Sequence, residues 1–568
     1  MIGTAATVRR SDVGAFRLLR PRWPSPERAL FIAAAFAVTL LVAPPLVAVV
    51  ATSIGQGAAA ALLTPLHQPA ILLNTLVLGL AATTGAVTIG GGLALMLGGN
   101  GVPGRGLLER LVIVPLYLTP LLTAIGWSWI GSPRSGLLNL FLHGVGLTEV
   151  DVNMVSAGGV VAVSILSYAP LPFLLISDAL RGIDAAMIEA ARVHGASRRF
   201  ALRRIVLPLL LPAALASSLL VFVQAIGMFS VPAVLGMPSG FNVATTEIFR
   251  LLENYPPRIG EATAWGLYLL AVTAALTFAQ SVLLGRRSFA TITGKSFRPH
   301  VPGRSKARHL YAAAAWLYVL LATVLPLLAL LWAASIDFVT ADPRLMRLTA
   351  RHFAFVLFQY PKTWLAAGNS ALLGVATATL VTLLGLAVSW VVIRTRLRGR
   401  TSLDQLSMVP LSMPAMVFAL GLLWVYVAIP FLPIYGTIGI LLVAYVTHYL
   451  PFGVRAAAGA IRQLHPELEE AARVAGASWL QSMRWITMPL LRPALFASWI
   501  LLFVMALHEV SASILLYTSS STVLSVTTFD LWENGNPSDV AALGFAQLAA
   551  TFVIVGFLLR ARRRAVLA

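Results

Sequence analysis

Glu189 to Ala213 reads EAARVHGASRRFALRRIVLPLLLPA, and Glu470 to Ala494 reads EAARVAGASWLQSMRWITMPLLRPA. The second copy follows at an offset of 281 residues without a gap, and the pairs Glu189/Glu470, Arg192/Arg473, Gly195/Gly476, Ser197/Ser478, Arg203/Arg484, Pro208/Pro489 and Pro212/Pro493 are identical. A repeat this long marks a duplicated architecture. Each copy is polar and lies between long apolar runs. The chain therefore reads as two similar membrane halves, each presenting one polar element to the same compartment.

The composition agrees. Of 568 residues, 58% are hydrophobic and 11% charged, and the mean hydropathy is +0.85. A soluble enzyme carries roughly 25% charged residues. Cysteine is absent, which removes disulfides, thiol nucleophiles and thiolate metal sites. The net charge of +20 does not point to nucleic acid, because in a membrane protein the position of the charge outweighs its sum.

Spanning-length apolar runs lie near 29–53, 69–97, 106–130, 156–178, 208–238 and 262–285, and again near 310–336, 364–393, 404–430, 435–457, 489–517 and 538–559. Each is long enough to cross a hydrocarbon core of about 30 Å as a helix. Prolines inside the runs, such as Pro44, Pro45, Pro115, Pro120, Pro170 and Pro172, predict kinks. With both termini inside, 34 of the 41 basic residues fall on the inner side and 7 outside. That is the positive-inside asymmetry. The fold class is thus an all-α polytopic membrane protein of about twelve transmembrane helices in two homologous six-helix halves. Residues 1–28 form a basic cytoplasmic start, 29–285 the first unit, 286–308 a basic linker, 309–560 the second unit, and 561–568 a basic cytoplasmic tail. The run at 29–54 spans and ends without a small-residue cleavage site, so it is read as a retained helix.

The linker contains Gly294-Lys295-Ser296, but a phosphate-binding loop needs glycine where Phe289 stands and a strand before it. A basic loop beside anionic headgroups is the simpler reading. The duplication extends further: Asn74-Thr75 matches Asn369-Ser370 at an offset of 295, as Pro115 and Gly126 match Pro410 and Gly421. The offset returns to 281 by Tyr168/Tyr449, which places 14 extra residues in the first half's outer loop near 131–157.

In the repeated element, helical spacing from Arg181 to His194 is ended by Gly195, a left-handed stop. Ser197 is placed to cap a second short helix before Pro208 opens the next span. The hairpins are predicted near 181–207 and 462–488. A lipid-anchoring segment needs only amphipathicity. The same Glu, Gly, Ser and Pro at the same spacing twice favours a docking element for a soluble partner.

The pattern of EAA, three residues, then Gly, followed by a proline-opened span, resembles the EAA motif of bacterial ABC-importer permeases of the binding-protein-dependent, type I class. The resemblance covers nearly the whole chain as two permease units in one polypeptide. It implies that Glu189, Ala190, Ala191 and Gly195, with Glu470, Ala471, Ala472 and Gly476, are the coupling positions that dock an ATP-binding subunit present as a homodimer. It also implies a periplasmic or lipid-anchored solute-binding protein, the bacterial inner membrane, and ATP with magnesium on the partner subunit. No cofactor or metal is expected on this chain, which is not itself an enzyme.

Gly131-Ser-Pro-Arg-Ser-Gly-Leu-Leu-Asn139, together with the fused double unit, resembles the ferric-iron branch and points to iron(III). Thiamine, a polyamine, a phosphonate or an oxyanion remain alternatives on the same machinery. The outer loops hold ten acidic and seven basic residues, a mild negative balance. Inside the membrane, polar groups are costly and informative. Gln224 and Glu509 are candidates for the translocation pathway, and Met228 occupies the position matching Glu509. An acid paired within the bundle is the alternative. Asn74, Asn369 and His448 read as interhelical hydrogen-bonding groups. A remote alternative is an ion-gradient-driven 6+6 transporter, which calls for paired intramembrane charges that are nearly absent here.

Overall fold

The computed structural model describes residues 26–55, 63–98, 101–133, 136–147, 149–285, 307–337, 347–427, 429 and 434–567. The predicted basic start up to residue 25, most of the 286–308 linker with its Gly294-Lys295-Ser296, and Arg134, Ser135 and Asp342 lie outside the described residues.

In the first half, α1 (Pro26–Gly55) and α2 (Pro69–Leu97) are followed by α3 (Arg105–Ile113) and α4 (Pro120–Ile130). A short α5 (Leu137–Gly144) precedes α6 (Ala157–Tyr168), α7 (Pro170–Arg181) and α8 (Ala185–Val193). Then come α9 (Leu207–Ile226), α10 (Ala244–Glu253) and α11 (Ile259–Gly285). The second half repeats this order: α12 (Arg308–Val319) and α13 (Leu325–Ala334), α14 (Lys362–Arg394), α15 (Arg400–Met408), α16 (Ala415–Val427), α17 (Ile438–Gln463), α18 (Glu467–Val474), α19 (Met488–Leu507), α20 (Leu524–Glu533) and α21 (Pro537–Leu567). An isolated antiparallel bridge joins Ile336 and Leu348.

Ten helices are long and apolar enough to cross a membrane, or twelve if each of two bent pairs is one span. The bent pairs are Arg105–Tyr117 with Pro120–Ile130, at 97°, and Arg400–Ser412 with Ala415–Tyr426, at 106°. The runs at 106–130 and 404–430 are therefore broken rather than straight. Thr119 is extended ahead of Pro120 and caps α4 by accepting the Leu122 N–H at 2.9 Å. A residue before proline is steered out of the helical region, so the turn falls there.

Proline also explains the π-turns. Leu202–Val206, Leu320–Val324 and Met483–Thr487 are π-helical, and Pro208, Pro326 and Pro489 each follow two residues later. Proline cannot donate to the ladder, and its ring pushes away the carbonyl four residues back. A π-turn absorbs that displaced carbonyl without ending the helix.

The first helix of each half crosses to the other. α1 packs on α14, α15 and α16, while α12 and α13 pack on α2, α3 and α4. Gly421 permits one crossing, since a Cβ there would lie 2.4 Å from the Pro45 carbonyl oxygen. Gly126 permits the other, with a Cβ 2.8 Å from the Pro326 oxygen. One apolar core runs through both halves. A second gathers α2, α7 and α9 around Tyr318 and Ala322, and a third gathers α14, α17 and α19 around Val38 and Val42.

Candidate functional site: two surface hairpins and a closed seam

Each hairpin begins where a span ends. Asp184 caps α8 by accepting the Ala186 N–H at 3.0 Å. The helix stops at Gly195, whose φ is +84°. Ala196 N–H donates to Ala191 O at 3.0 Å and Gly195 N–H to Arg192 O at 3.0 Å. This is the paired-bond stop that a left-handed residue allows. The second copy repeats it: Gly476 has φ +88°, Ala477 N–H reaches Ala472 O, and Gly476 N–H reaches Arg473 O, both at 3.0 Å. Ser197 Oγ accepts the Phe200 N–H at 3.2 Å. Ser478 Oγ accepts the Gln481 N–H at 3.3 Å, and Gln481 Oε1 accepts the Ser478 N–H at 2.8 Å.

The second arm differs from the expectation of a separate short helix. Arg199 to Ile226, and Trp479 to Leu507, are each one continuous helix through the π-turn. α8 and α18 are thus each joined through one turn to a spanning helix. Glu189, Ala190, Gly195, Glu470, Ala471 and Gly476 are exposed, Ala191 is half-buried and Ala472 is buried. Among the described residues neither Glu189 nor Glu470 has an ion-pair partner. Val193 is 85% exposed and Val474 90%. Each hairpin thus offers an unpaired carboxylate and an apolar tip.

The opposite end of the molecule is closed. Asn74 Nδ2 donates to Asn242 O at 3.0 Å, and the Ala244 N–H donates to Thr75 Oγ1 at 2.9 Å. These bonds pin the start of α10 to the N-terminal end of α2. Asn369 Nδ2 donates to Ser520 O at 3.2 Å and Thr522 O at 2.8 Å, and the Leu524 N–H donates to Ser370 Oγ at 2.9 Å. These pin α20 to α14. So positioned, Phe249 of α10 meets Phe529 of α20 edge-on at 5.8 Å between ring centroids. Phe229 packs against both, at 5.0 and 5.2 Å. Phe249 and Phe529 occupy matching places in their helices, so the contact is a residue meeting its own equivalent across a pseudo-two-fold axis, as in an isologous interface.

Glu253 and Glu533 end these two helices. Burial, and then the charge of Glu533, raises the Glu253 carboxyl above its usual range. Burial, and then the charge of Asp530, raises Glu533. Other acids at this end have partners: Glu247, fully buried, takes both Arg250 Nε at 2.9 Å and an Arg250 terminal nitrogen at 2.7 Å. Asp530 faces Lys362 at 3.3 Å and Asp539 faces His352 at 2.6 Å. Among the described residues no group of three or more His, Asp or Glu side chains could hold a metal ion.

Glu509 is 8% exposed, just beyond the end of α19. Its Oε2 accepts the Tyr449 hydroxyl at 2.6 Å and its Oε1 the Ala512 N–H at 3.0 Å. Its carbonyl accepts Ser513 and Ser525 hydroxyls at 2.9 and 2.6 Å. The hydrogen bonds of this acid thus all go to residues of its own half. Tyr449 also donates to Met505 O at 3.0 Å, as Tyr168 donates to the backbone O of Gln224 at 3.1 Å in the first half. The Gln224 side chain is half-buried. His448 is buried and stacks edge-on against Tyr449. No hydrogen bond reaches its Nδ1, so the interhelical role expected of it is not carried by that atom.

The loop motif ending at Asn139 has a structural task. Asn139 Nδ2 donates to Ser132 O and Val152 O, both at 2.9 Å, and Oδ1 accepts the Val152 N–H at 2.8 Å. It staples the added loop around α5.

The chain belongs to the family of binding-protein-dependent transport system inner membrane components, which matches residues 86–289 and again 381–565. Members are membrane permease subunits rather than enzymes. The chain is 27% identical over 454 residues to the ferric transport system permease protein FbpB of Actinobacillus pleuropneumoniae, covering 78% of this chain and 64% of that protein. It is 29% identical over 422 residues to the putative ferric transport system permease protein FbpB 1 of Haemophilus influenzae, covering 73% and 65%. The chain thus spans just under two thirds of the length of these two relatives. It is 32% identical over 177 residues to the spermidine/putrescine transport system permease protein PotB of Escherichia coli, covering 31% and 63%.

Proposed function

We propose that this chain supplies both membrane halves of an ATP-driven, binding-protein-dependent importer, and that its solute is iron(III). The observation that carries the reading is the pair of matching hairpins. Each leads through a glycine turn into a spanning helix and presents an unpaired glutamate and an exposed valine. In this reading Glu189, Ala190, Ala191 and Gly195, with Glu470, Ala471, Ala472 and Gly476, seat two copies of one ATP-binding subunit. ATP and magnesium reside on that subunit, and this chain binds no cofactor. Both termini and both hairpins face the cytoplasm. A periplasmic or lipid-anchored binding protein delivers the solute to the opposite face.

The mechanism follows from the closed seam. Closure of the ATP-binding dimer pulls the hairpins together. The motion passes along α9 and α19, and the halves rock until Phe249 and Phe529 part. Each state is selected by differential binding of nucleotide or binding protein. Gln224 and Glu509 belong to the pathway wall beside the seam, Glu509 by holding the bend between α19 and the segment at Ala512. Similarity to two ferric permeases supports iron(III), a hard cation that prefers oxygen donors. Similarity to PotB supports a polyamine as the second reading.

The test is ATP hydrolysis in proteoliposomes with the genomically neighbouring ATPase and binding protein, offered ferric ion, thiamine and a polyamine in turn. Gly195→Asp and Gly476→Asp are expected to weaken assembly or uncouple hydrolysis, with ferric ion the stimulating solute. Stimulation by another solute refutes iron. Transport that persists without ATPase and follows an ion gradient refutes the importer reading.

A further inference from the structure

The two hairpins match in sequence and differ in how they are held. On the second, Arg394 at the end of α14 donates a terminal nitrogen to Leu464 O at 2.8 Å and Ile461 O at 3.3 Å. It thereby closes the carbonyl end of α17, a favourable place for a cation. Its Nε lies 3.6 Å from Glu469 Oε1 of α18. The same oxygen accepts the Thr487 hydroxyl at 3.0 Å from the π-turn that leads into α19. The Arg394 and Glu469 side chains are 10% and 16% exposed. One near-buried charge pair thus ties α14, α17, the hairpin and the spanning helix together. Trp390 of α14 meets Trp479, the first residue of the second arm, edge-on at 5.2 Å. Arg473 of α18 reaches Glu27 of α1 at 3.0 Å.

Of these residues the first half keeps only the equivalent of Arg473. Gly99, Ile188 and Val206 stand where Arg394, Glu469 and Thr487 stand in the second. Leu95 and Arg198 replace Trp390 and Trp479. Arg192 keeps the place of Arg473, but Arg308 replaces Glu27, so the pair would be like-charged. Beyond its base, where the exposed Arg181 lies 3.6 Å from Glu109 of α3, the first hairpin rests on aliphatic contact: Ile183 and Val206 are buried, and Ile188 packs beside them. Apolar contacts are non-directional and permit sliding. An ion pair whose arginine is hydrogen-bonded to two carbonyls and whose carboxylate accepts a hydroxyl is fixed in both distance and direction.

We infer that the second hairpin is the rigid transmission element, with Arg394 and Glu469 as positioning residues, and that the first hairpin moves against its half with more freedom. Two identical strokes from a symmetric ATP-binding dimer then act unequally, and the second half is the driven one. This rests on the importer reading for its functional consequence, but the mechanical difference belongs to the chain alone.

Hydrogen exchange on the full chain in lipid nanodiscs, without any ATPase, tests the difference directly, since protection reports local opening. Wild type is expected to show stronger protection at 467–478 than at 186–197. Arg394→Met is expected to lower protection at the second hairpin by about tenfold, the scale of a lost charged hydrogen bond, and to leave the first unchanged. Glu27→Arg, at a half-buried site, reproduces Arg308 at the matching place of α12; it is the variant that does not threaten folding and should loosen the second hairpin alone. In the reconstituted transporter, Arg394→Met should raise ATP consumed per solute moved, whereas Ile188→Ala should change that ratio less. A merely structural role would lower thermal stability and leave the ratio fixed. Equal protection of both hairpins in wild type, or loosening of both by Glu27→Arg, overturns the inference whatever the ATPase does. If the hairpins differ as expected but no ATPase binds, the mechanical inference stands and the importer reading falls.

Discussion

Replacing Gly195 or Gly476 isolates backbone strain from packing. Both glycines are left-handed, at +84° and +88°, and a Cβ built on either meets no atom within 4 Å. The whole cost of a side chain is therefore conformational. For an L-residue that cost is about 1–2 kcal/mol, which shifts the local equilibrium between formed and opened hairpin by roughly 5- to 30-fold. Asparagine tolerates the left-handed region and should lose least, alanine more, and valine most because it is β-branched. The assay is hydrogen exchange across 189–196 and 470–477, with retention of the ATP-binding subunit on the purified chain measured in parallel. Both should fall in the order Asn, Ala, Val at each glycine. A ranking by side-chain volume with Asn worse than Ala, or a silent Ala variant, would refute the strain argument and return the glycines to a simple clearance role.

Gly421→Ala should destabilise the chain by about 1–3 kcal/mol, since the new methyl meets the Pro45 backbone; Gly126→Ala against Pro326 should cost somewhat less, and thermal unfolding in nanodiscs gives both. Glu253 titrates above its usual 4.5 in the folded chain, so the folded state binds its proton more tightly and stability declines as pH rises through that range. Glu253→Gln should therefore be more stable than wild type at pH 7, with the advantage vanishing near pH 4; an unchanged difference across pH would count against it. Asn369→Ala leaves two carbonyls without their donor and Asn74→Ala leaves one, so exchange at the start of α20 should rise more than at the start of α10, each bond being worth about 1 kcal/mol.

Several elements were legible because they depend on local chemistry. The glycine stop at each hairpin follows from which residue accepts a positive φ, and the serine after it from which side chain can cap. Asn74 and Asn369 were readable as hydrogen-bonding groups because an amide in an apolar span must find a partner. Other elements had only faint marks. The Pro115/Pro120 and Pro410/Pro414 spacing held the signal for sharp turns, yet the sequence was read as kinked spans. Glu509 is a pathway candidate in the sequence, with a paired acid as the alternative, because its partners Tyr449 and Ala512 come from a neighbouring helix and from the turn beyond it.

The sequence by itself determined that this is a duplicated, multi-span membrane chain with two matched polar hairpins. Hydropathy, charge position and backbone freedom act over a few residues and need no knowledge of distant neighbours. Only the tertiary structure decided that each first helix crosses to the opposite half, that Phe249 meets Phe529, and that Arg394 clamps one hairpin while the other rests on aliphatic contact. Those outcomes depend on which surfaces approach closely enough to pack, and glycines at 126 and 421 reveal their purpose only once the Pro326 and Pro45 backbones lie against them.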